Sequence, residues 1–123
     1  MPRAIASYSP IRRVSHSAQP QAGDTLYVSG QIPLLEDGEL LSGTLADETN
    51  RAIDNLEATL ATEGAALADV VKTSVFLINP ADYAEMDTAY RARFGDPLPA
   101  REAVFVVGLP KGARVEISAI AVL

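Results

Sequence analysis

Arg101 is the side chain whose setting says most about chemistry. It stands in Pro99-Ala100-Arg101-Glu102-Ala103-Val104, where an extended, proline-bound link enters an apolar stretch. A guanidinium at such a place is costly unless paired. It can clamp the carboxylate of a ligand through two parallel N–H groups, or form a salt bridge at the end of a strand. Glu116 is the second candidate, the one acid in residues 114–123. It can face solvent, pair with Arg114, or orient and activate a water. Ser29 and Gly30 are the third. At the end of a strand they offer a hydroxyl and a backbone N–H that a ligand can approach closely, or simply a terminating turn. His16, the sole histidine, is either a surface imidazole or a pocket-lining group. Lys111, in a Pro-Lys-Gly turn, reads as solvated, and the Tyr83/Tyr90 pair as core. Taken one at a time, Arg101, Glu116 and the Ser29-Gly30 pair are each more often structural than functional.

Composition narrows the chemistry. The chain has 123 residues, which suits one domain, with the first ten expected to be irregular. It contains no cysteine, so thiolate catalysis, disulfides and cysteine metal sites are excluded. One histidine rules out a multi-histidine metal site within the chain, and no nucleophile-elbow motif is present. A net charge of -6 repels phosphate backbones, so nucleic acid is not an expected partner. No apolar run approaches the ~20 residues of a membrane span. The basic N-terminus has no apolar region after it, so it does not read as a secretory signal. The expected setting is cytoplasmic.

The elements that must position these residues follow from periodicity. Residues 11–15 can form a first strand, 19–24 a turn-rich link, and 25–29 a second strand. Residues 34–41, around Asp37-Gly38, read as a hairpin or loop. Residues 47–63 form a helix with Ala52, Ile53, Leu56 and Leu60 on one face, Asp47 as N-cap and Gly64 as stop. Residues 70–78 form a β-branched strand. Asn79-Pro80-Ala81-Asp82 starts a second helix. It runs to Phe94, stops at Gly95, and carries Tyr83, Met86, Tyr90 and Phe94 on its apolar face. Residues 103–108 and 114–123 are the last two strands. The expected fold is α+β: a single mixed sheet backed by two helices. The last strand is apolar on both sides, and two helices cover one face, so a homo-oligomer is expected to cover the other.

Spacing argues for the same assembly. If the last two strands form a hairpin turning near Lys111, Glu116 lies opposite Val106. Arg101 is then five residues further along, roughly 16 Å away. A small molecule held by both needs one residue from each of two chains.

Several segments together resemble the RidA (YjgF-like) family. They are Gly23-Asp24 through Tyr27-Val28-Ser29-Gly30-Gln31-Ile32-Pro33, then Asp69-Val70-Val71-Lys72-Thr73-Ser74-Val75-Phe76-Leu77, then Pro99-Ala100-Arg101, and finally the run from Leu109-Pro110-Lys111-Gly112-Ala113-Arg114 through Val115-Glu116-Ile117-Ser118 to Val122. The resemblance implies a chorismate-mutase-like fold of the bacterial trimeric type, a homotrimer around a central barrel with ligands in three inter-subunit clefts. It implies hydrolysis of reactive 2-imino acids, formed through enamines, to 2-keto acids and ammonia, with no cofactor and no metal. On that basis Arg101 would hold the substrate carboxylate and Glu116 would position the attacking water, while Ser29 and the Gly30 backbone line the cleft. His16 falls where many members carry a tyrosine, Asp87 where some carry an asparagine, and Ala103 where some carry a cysteine. These three would complete an altered substrate-binding pocket. A non-catalytic small-carboxylate binding or sensing protein on the same trimer is the alternative. An RNA-acting role, also attributed to some members, is disfavoured by the acidic charge and the lack of a basic aromatic patch.

Overall fold

The computed structural model describes residues 9–16 and 23–123. Most of the irregular N-terminus and of the link at 19–24 therefore lies outside the described residues. The elements are strand β1 (Ile11–Val14), strand β2 (Thr25–Gln31), helix α1 (Leu45–Ala61), strand β3 (Val70–Leu77), helix α2 (Tyr83–Phe94), strand β4 (Ala100–Phe105) and strand β5 (Val115–Val122). The five strands make one mixed sheet in the order β1-β2-β5-β3-β4. All pairs are antiparallel except β3–β4. The α+β architecture expected from the sequence is present. Of the hairpin or loop expected at 34–41, the structure has a loop closed by a single bridge, Leu34 to Leu40.

Helix α1 starts two residues before its predicted boundary. Thr44, not Asp47, is the N-cap: its hydroxyl accepts from the Asp47 amide, and the Asp47 carboxylate accepts from the Thr44 amide. This reciprocal capping box satisfies two orphan donors, and it makes Asp47 the third helical residue. Leu45, Ala52, Ile53, Leu56 and Leu60 are buried along one stripe against the sheet. Each of the larger side chains contributes about 1.5–3 kcal/mol of apolar transfer.

Helix α2 begins as the sequence indicates. The Asn79 side chain accepts from the Ala81 amide, Pro80–Asp82 makes one 3₁₀ turn, and Gly95 (φ 70°) ends the helix in a conformation suited to glycine. Met86, Tyr90 and Phe94 are buried, with the Tyr90 and Phe94 rings stacked 4.4 Å apart. Tyr83 departs from the expected apolar face; it is 38% exposed. At the first turn of α2, over edge strand β4, no further layer among the described residues buries it.

The last two strands do not form a hairpin. β4 runs parallel to β3, joined to it by the α2 crossover that parallel strands require. β5 inserts on the other side of β3, between it and β2. The expected pairing of Glu116 with Val106 is therefore wrong. Glu116 is opposite Phe76, and the Val106 amide donates to the Leu77 carbonyl at 2.8 Å. Spacing from the nearest turn carries no information about a third strand between the two.

Alternation fixes the two faces of the sheet. Val115, Ile117, Ala119 and Ala121 of β5, with Thr73, Val75 and Leu77 of β3, face the helices and are buried. Glu116, Ser118 and Ile120 point to the opposite face, which no helix covers. Tyr27 and Val104 stand 48% and 41% exposed on that face.

Candidate functional site

Arg101 pairs in register with Thr73 of β3, so its side chain lies on the helix face at the outer edge of the sheet. There α2 surrounds it. Arg101 Nη2 donates to the Tyr83 hydroxyl at 2.7 Å, and Nη1 lies 2.9 Å from Asp87 Oδ1. The guanidinium carbon sits 4.7 Å from the Tyr90 ring centre and 5.6 Å from that of Tyr83, within cation–π range. The Asp87 contact is a close ion pair made on the buried Oδ1. Asp87 Oδ2 accepts from Arg91 Nε at 2.9 Å. Burial alone would push the Asp87 carboxyl up. The two guanidinium contacts and their charges outweigh it and hold the group below its ordinary range. Two cations and one anion leave the cluster with one net positive charge. The side chain of Arg101 is only 14% exposed. Among the described residues, Asp87 and Tyr83 are the polar partners of its five N–H groups.

The floor of this cradle is a buried pair. The Thr73 and Tyr90 hydroxyls lie 2.6 Å apart, and both residues are essentially inaccessible. Burial raises the Tyr90 hydroxyl's pKa, with the Thr73 hydrogen bond opposing it, so the phenol stays neutral and its ring is fixed beneath Arg101. Sequence reading placed Tyr83 and Tyr90 in the core. Tyr90 is there, yet both also hold the guanidinium. The signal was available: Tyr83, Asp87 and Tyr90 recur at helical spacing and share one face.

Glu116 belongs to a different environment. It does not pair with Arg114, whose guanidinium binds Glu48 on α1 and the Gly43 carbonyl. Among the described residues it has no hydrogen-bonding or ionic partner, and burial is the one cause raising its carboxyl above the ordinary range. It lies against β2 at a bulge. Val28 pairs with Ala119 and Gln31 with Ile117, so Ser29 and Gly30 together oppose Ser118. The strand expected to end at Ser29 thus continues to Gln31. The Ser29 hydroxyl donates weakly to the Pro10 carbonyl at 3.4 Å.

Within one chain the candidates form two groups. Arg101, Asp87 and Ala103 lie at the β4 edge on the helix side, with Ala103 packed against the core. Ser29, Gly30 and Glu116 lie at the β2–β5 bulge, and Glu116 is directed to the open face. Arg101 and Glu116 are two strands and three residues apart, about 14 Å between Cα positions, and on opposite faces. His16 is exposed beyond the end of β1, at the far edge of the sheet. Its Nε2 is 3.1 Å from the Thr25 hydroxyl. Four strand spacings, roughly 19 Å, separate that edge from β4. Lys111 (φ 60°) is exposed, as expected, and its Nζ donates to the Gly38 carbonyl at 3.0 Å.

Fold and site together define a small α+β protein with a tyrosine-walled arginine at one sheet edge and, on its open face, a carboxyl without a partner among the described residues. Comparison with known proteins narrows this class. The Endoribonuclease L-PSP family model matches residues 2–123. The 2-iminobutanoate/2-iminopropanoate deaminase of Rattus norvegicus is 40% identical over 122 residues, covering 98% of this chain and 83% of the rat protein. The crystal structure of RidA from an Antarctic Psychrobacter superposes with a TM-score of 0.84 at 35% identity, over 95% of this chain and 89% of that one. That of E. coli TdcF with bound serine superposes with a TM-score of 0.80 at 28% identity, over 94% and 87%. This chain belongs to the RidA (YjgF-like, L-PSP) family.

Proposed function

We propose that the protein is an imine deaminase. It hydrolyses 2-imino acids to 2-keto acids and ammonia at sites built between copies of the chain in a homotrimer. The observation that carries this reading is the Arg101 cradle: a guanidinium fixed by Tyr83, Tyr90 and Asp87, with net positive charge and free N–H groups at a sheet edge. That is a receptor for one small carboxylate. The deaminase name of the rat relative supplies the reaction class, and the serine bound to TdcF shows a small amino acid held by a relative.

Arg101 takes the substrate carboxylate. Glu116 of another copy accepts a proton from water as the oxygen adds to the C=N carbon, and it returns the proton to nitrogen. Glu116 next takes the proton of the new hydroxyl and passes it to the same nitrogen as the C–N bond breaks, so the bonding pair leaves with ammonia and the carbon keeps the oxygen as the carbonyl of the 2-keto acid. A carboxyl raised by burial is suited to this exchange near neutrality. The Ser29 hydroxyl, the Gly30 backbone, His16 and Ala103 line the same cleft, and Asp87 sets the guanidinium. No metal or cofactor is needed, because positioning and one base suffice for a reaction that water already performs. Assembly is supported by the open sheet face and by exposed Tyr27, Val104, Phe105 and Val107. In one chain Arg101 and Glu116 do not converge, so the mechanism requires a second copy.

RNA cleavage is disfavoured by the charge of -6 and by the engagement of Arg13, Lys72, Arg91, Arg93, Arg101 and Arg114 in ion pairs. No helix among the described residues is long and apolar enough to cross a membrane, and the cytoplasm is the proposed setting. The test is ammonia release from 2-iminopropanoate and 2-iminobutanoate. Acceleration by the wild type and its loss in Arg101→Ala support the proposal. Calorimetric binding of 2-oxobutanoate without any turnover would instead assign a carboxylate-binding module.

A further inference from the structure

The bulge in β2 has a consequence for Glu116. An ideal Cβ on Gly30 would overlap Glu116 Oε2 and lie 2.5 Å from its Cδ and 2.8 Å from its Cγ. No side-chain-bearing residue fits there with Glu116 where it is. Gly30 does not need to be glycine for its backbone, since its φ lies outside the left-handed region, unlike Gly38, Gly64, Gly95 and Gly112. The three atoms nearest to that Cβ all belong to the Glu116 side chain. The bulge supplies the rest: the extra residue at Ser29-Gly30 brings the β2 backbone over the Glu116 side chain.

We infer that Gly30 is a positioning residue for Glu116, its missing side chain being the space in which the carboxyl is held against β2. This rests on the role proposed above for Glu116 only where activity is concerned; the steric claim stands separately. The clash would fall on a flexible side chain from its Cγ outward, so a Cβ at position 30 displaces the carboxyl away from β2 without disturbing the core. Position and stability are therefore separable at this residue. The burial that raises the Glu116 carboxyl is lost with the displacement, while the half-buried partner Phe76 stays in place.

The experiment is Gly30→Ala, read by thermal melting, by carbon-detected NMR titration of Glu116 (assigned with Glu116→Gln), and by imine hydrolysis. The Glu116 midpoint is expected to fall toward the ordinary carboxylate range with the melting temperature little changed, and kcat to fall about 10- to 100-fold. An unchanged Glu116 midpoint in folded Gly30→Ala overturns the inference. If the midpoint falls but the wild type has no deaminase activity, the positioning role stands and the proposed function fails. If Gly30→Ala does not fold, the double variant Gly30→Ala/Glu116→Ala decides. Its recovery of folding shows that the conflict is with Glu116, and its failure shows that the glycine serves something else.

Discussion

Asp87→Asn isolates the electrostatics of the cradle. The carboxylate of Asp87 lies 2.9 Å from Arg101, and the two side chains are 23% and 14% exposed. A ligand carboxylate on the far side of the guanidinium would sit on the order of 7 Å from Asp87. At an effective dielectric of about 20, two negative charges at that separation repel by roughly 2.4 kcal/mol. Partial exposure and the Arg91 counter-charge halve this, to about 1.2 kcal/mol, or roughly a 10-fold weakening of carboxylate binding. Removing the charge is expected to tighten binding of 2-oxobutanoate about 10-fold by calorimetry and to lower KM for the imine similarly. The same change breaks a partly buried ion pair, at a cost of about 1–2 kcal/mol, between the exposed and fully buried cases. For a domain of this size that lowers the melting temperature by roughly 3–10 °C. Tighter binding in a less stable protein is a combination that general damage does not produce. A raised KM, or unchanged affinity with the same loss of stability, would refute Arg101 as the carboxylate anchor.

Other perturbations test neighbouring parts. Glu116→Gln is expected to abolish turnover while retaining 2-oxobutanoate binding, and the wild type should lose kcat/KM toward acid with a midpoint above the ordinary carboxylate range. Because the folded-state pKa of Glu116 is raised, its ionisation costs stability as pH rises through that value. The melting temperature of Glu116→Gln should therefore gain on the wild type between acid and neutral pH, and a constant difference would contradict it. Tyr90→Phe leaves the Thr73 hydroxyl unpaired in the core and should cost about 1–3 kcal/mol in urea unfolding, whereas Tyr90→Phe with Thr73→Val should restore most of it.

Where sequence and structure agree, the signal is local. Periodicity and capping residues located both helices, because the Asn79-Pro80 start and the stripe from Ala52 to Leu60 are properties of contiguous residues. Asp47 was misplaced as N-cap because Thr44 and Asp47 are reciprocal partners, and either end of a capping box looks like its start. What the sequence hid was non-local. The insertion of β5 beside β2 depends on which edges remain free after the α2 crossover, and no turn residue records that. The Arg101 environment was half legible. The guanidinium was singled out from its strand context, but its partners come from a helix whose tyrosines resemble ordinary core residues until the register places Thr73 beneath them. The bulge at Ser29-Gly30 is indistinguishable in sequence from a strand end, since a bulge and a terminus share the same glycine signal.

Subunit complementation examines the shared site most directly. Arg101→Ala and Glu116→Gln chains, each inactive alone, are co-expressed and the mixed oligomers assayed for ammonia release from 2-iminobutanoate. Because the two groups act from different chains, random mixing restores one intact site in about four, giving up to roughly a quarter of wild-type activity. Mixed oligomers no more active than either parent would contradict a site assembled from Arg101 of one copy and Glu116 of another.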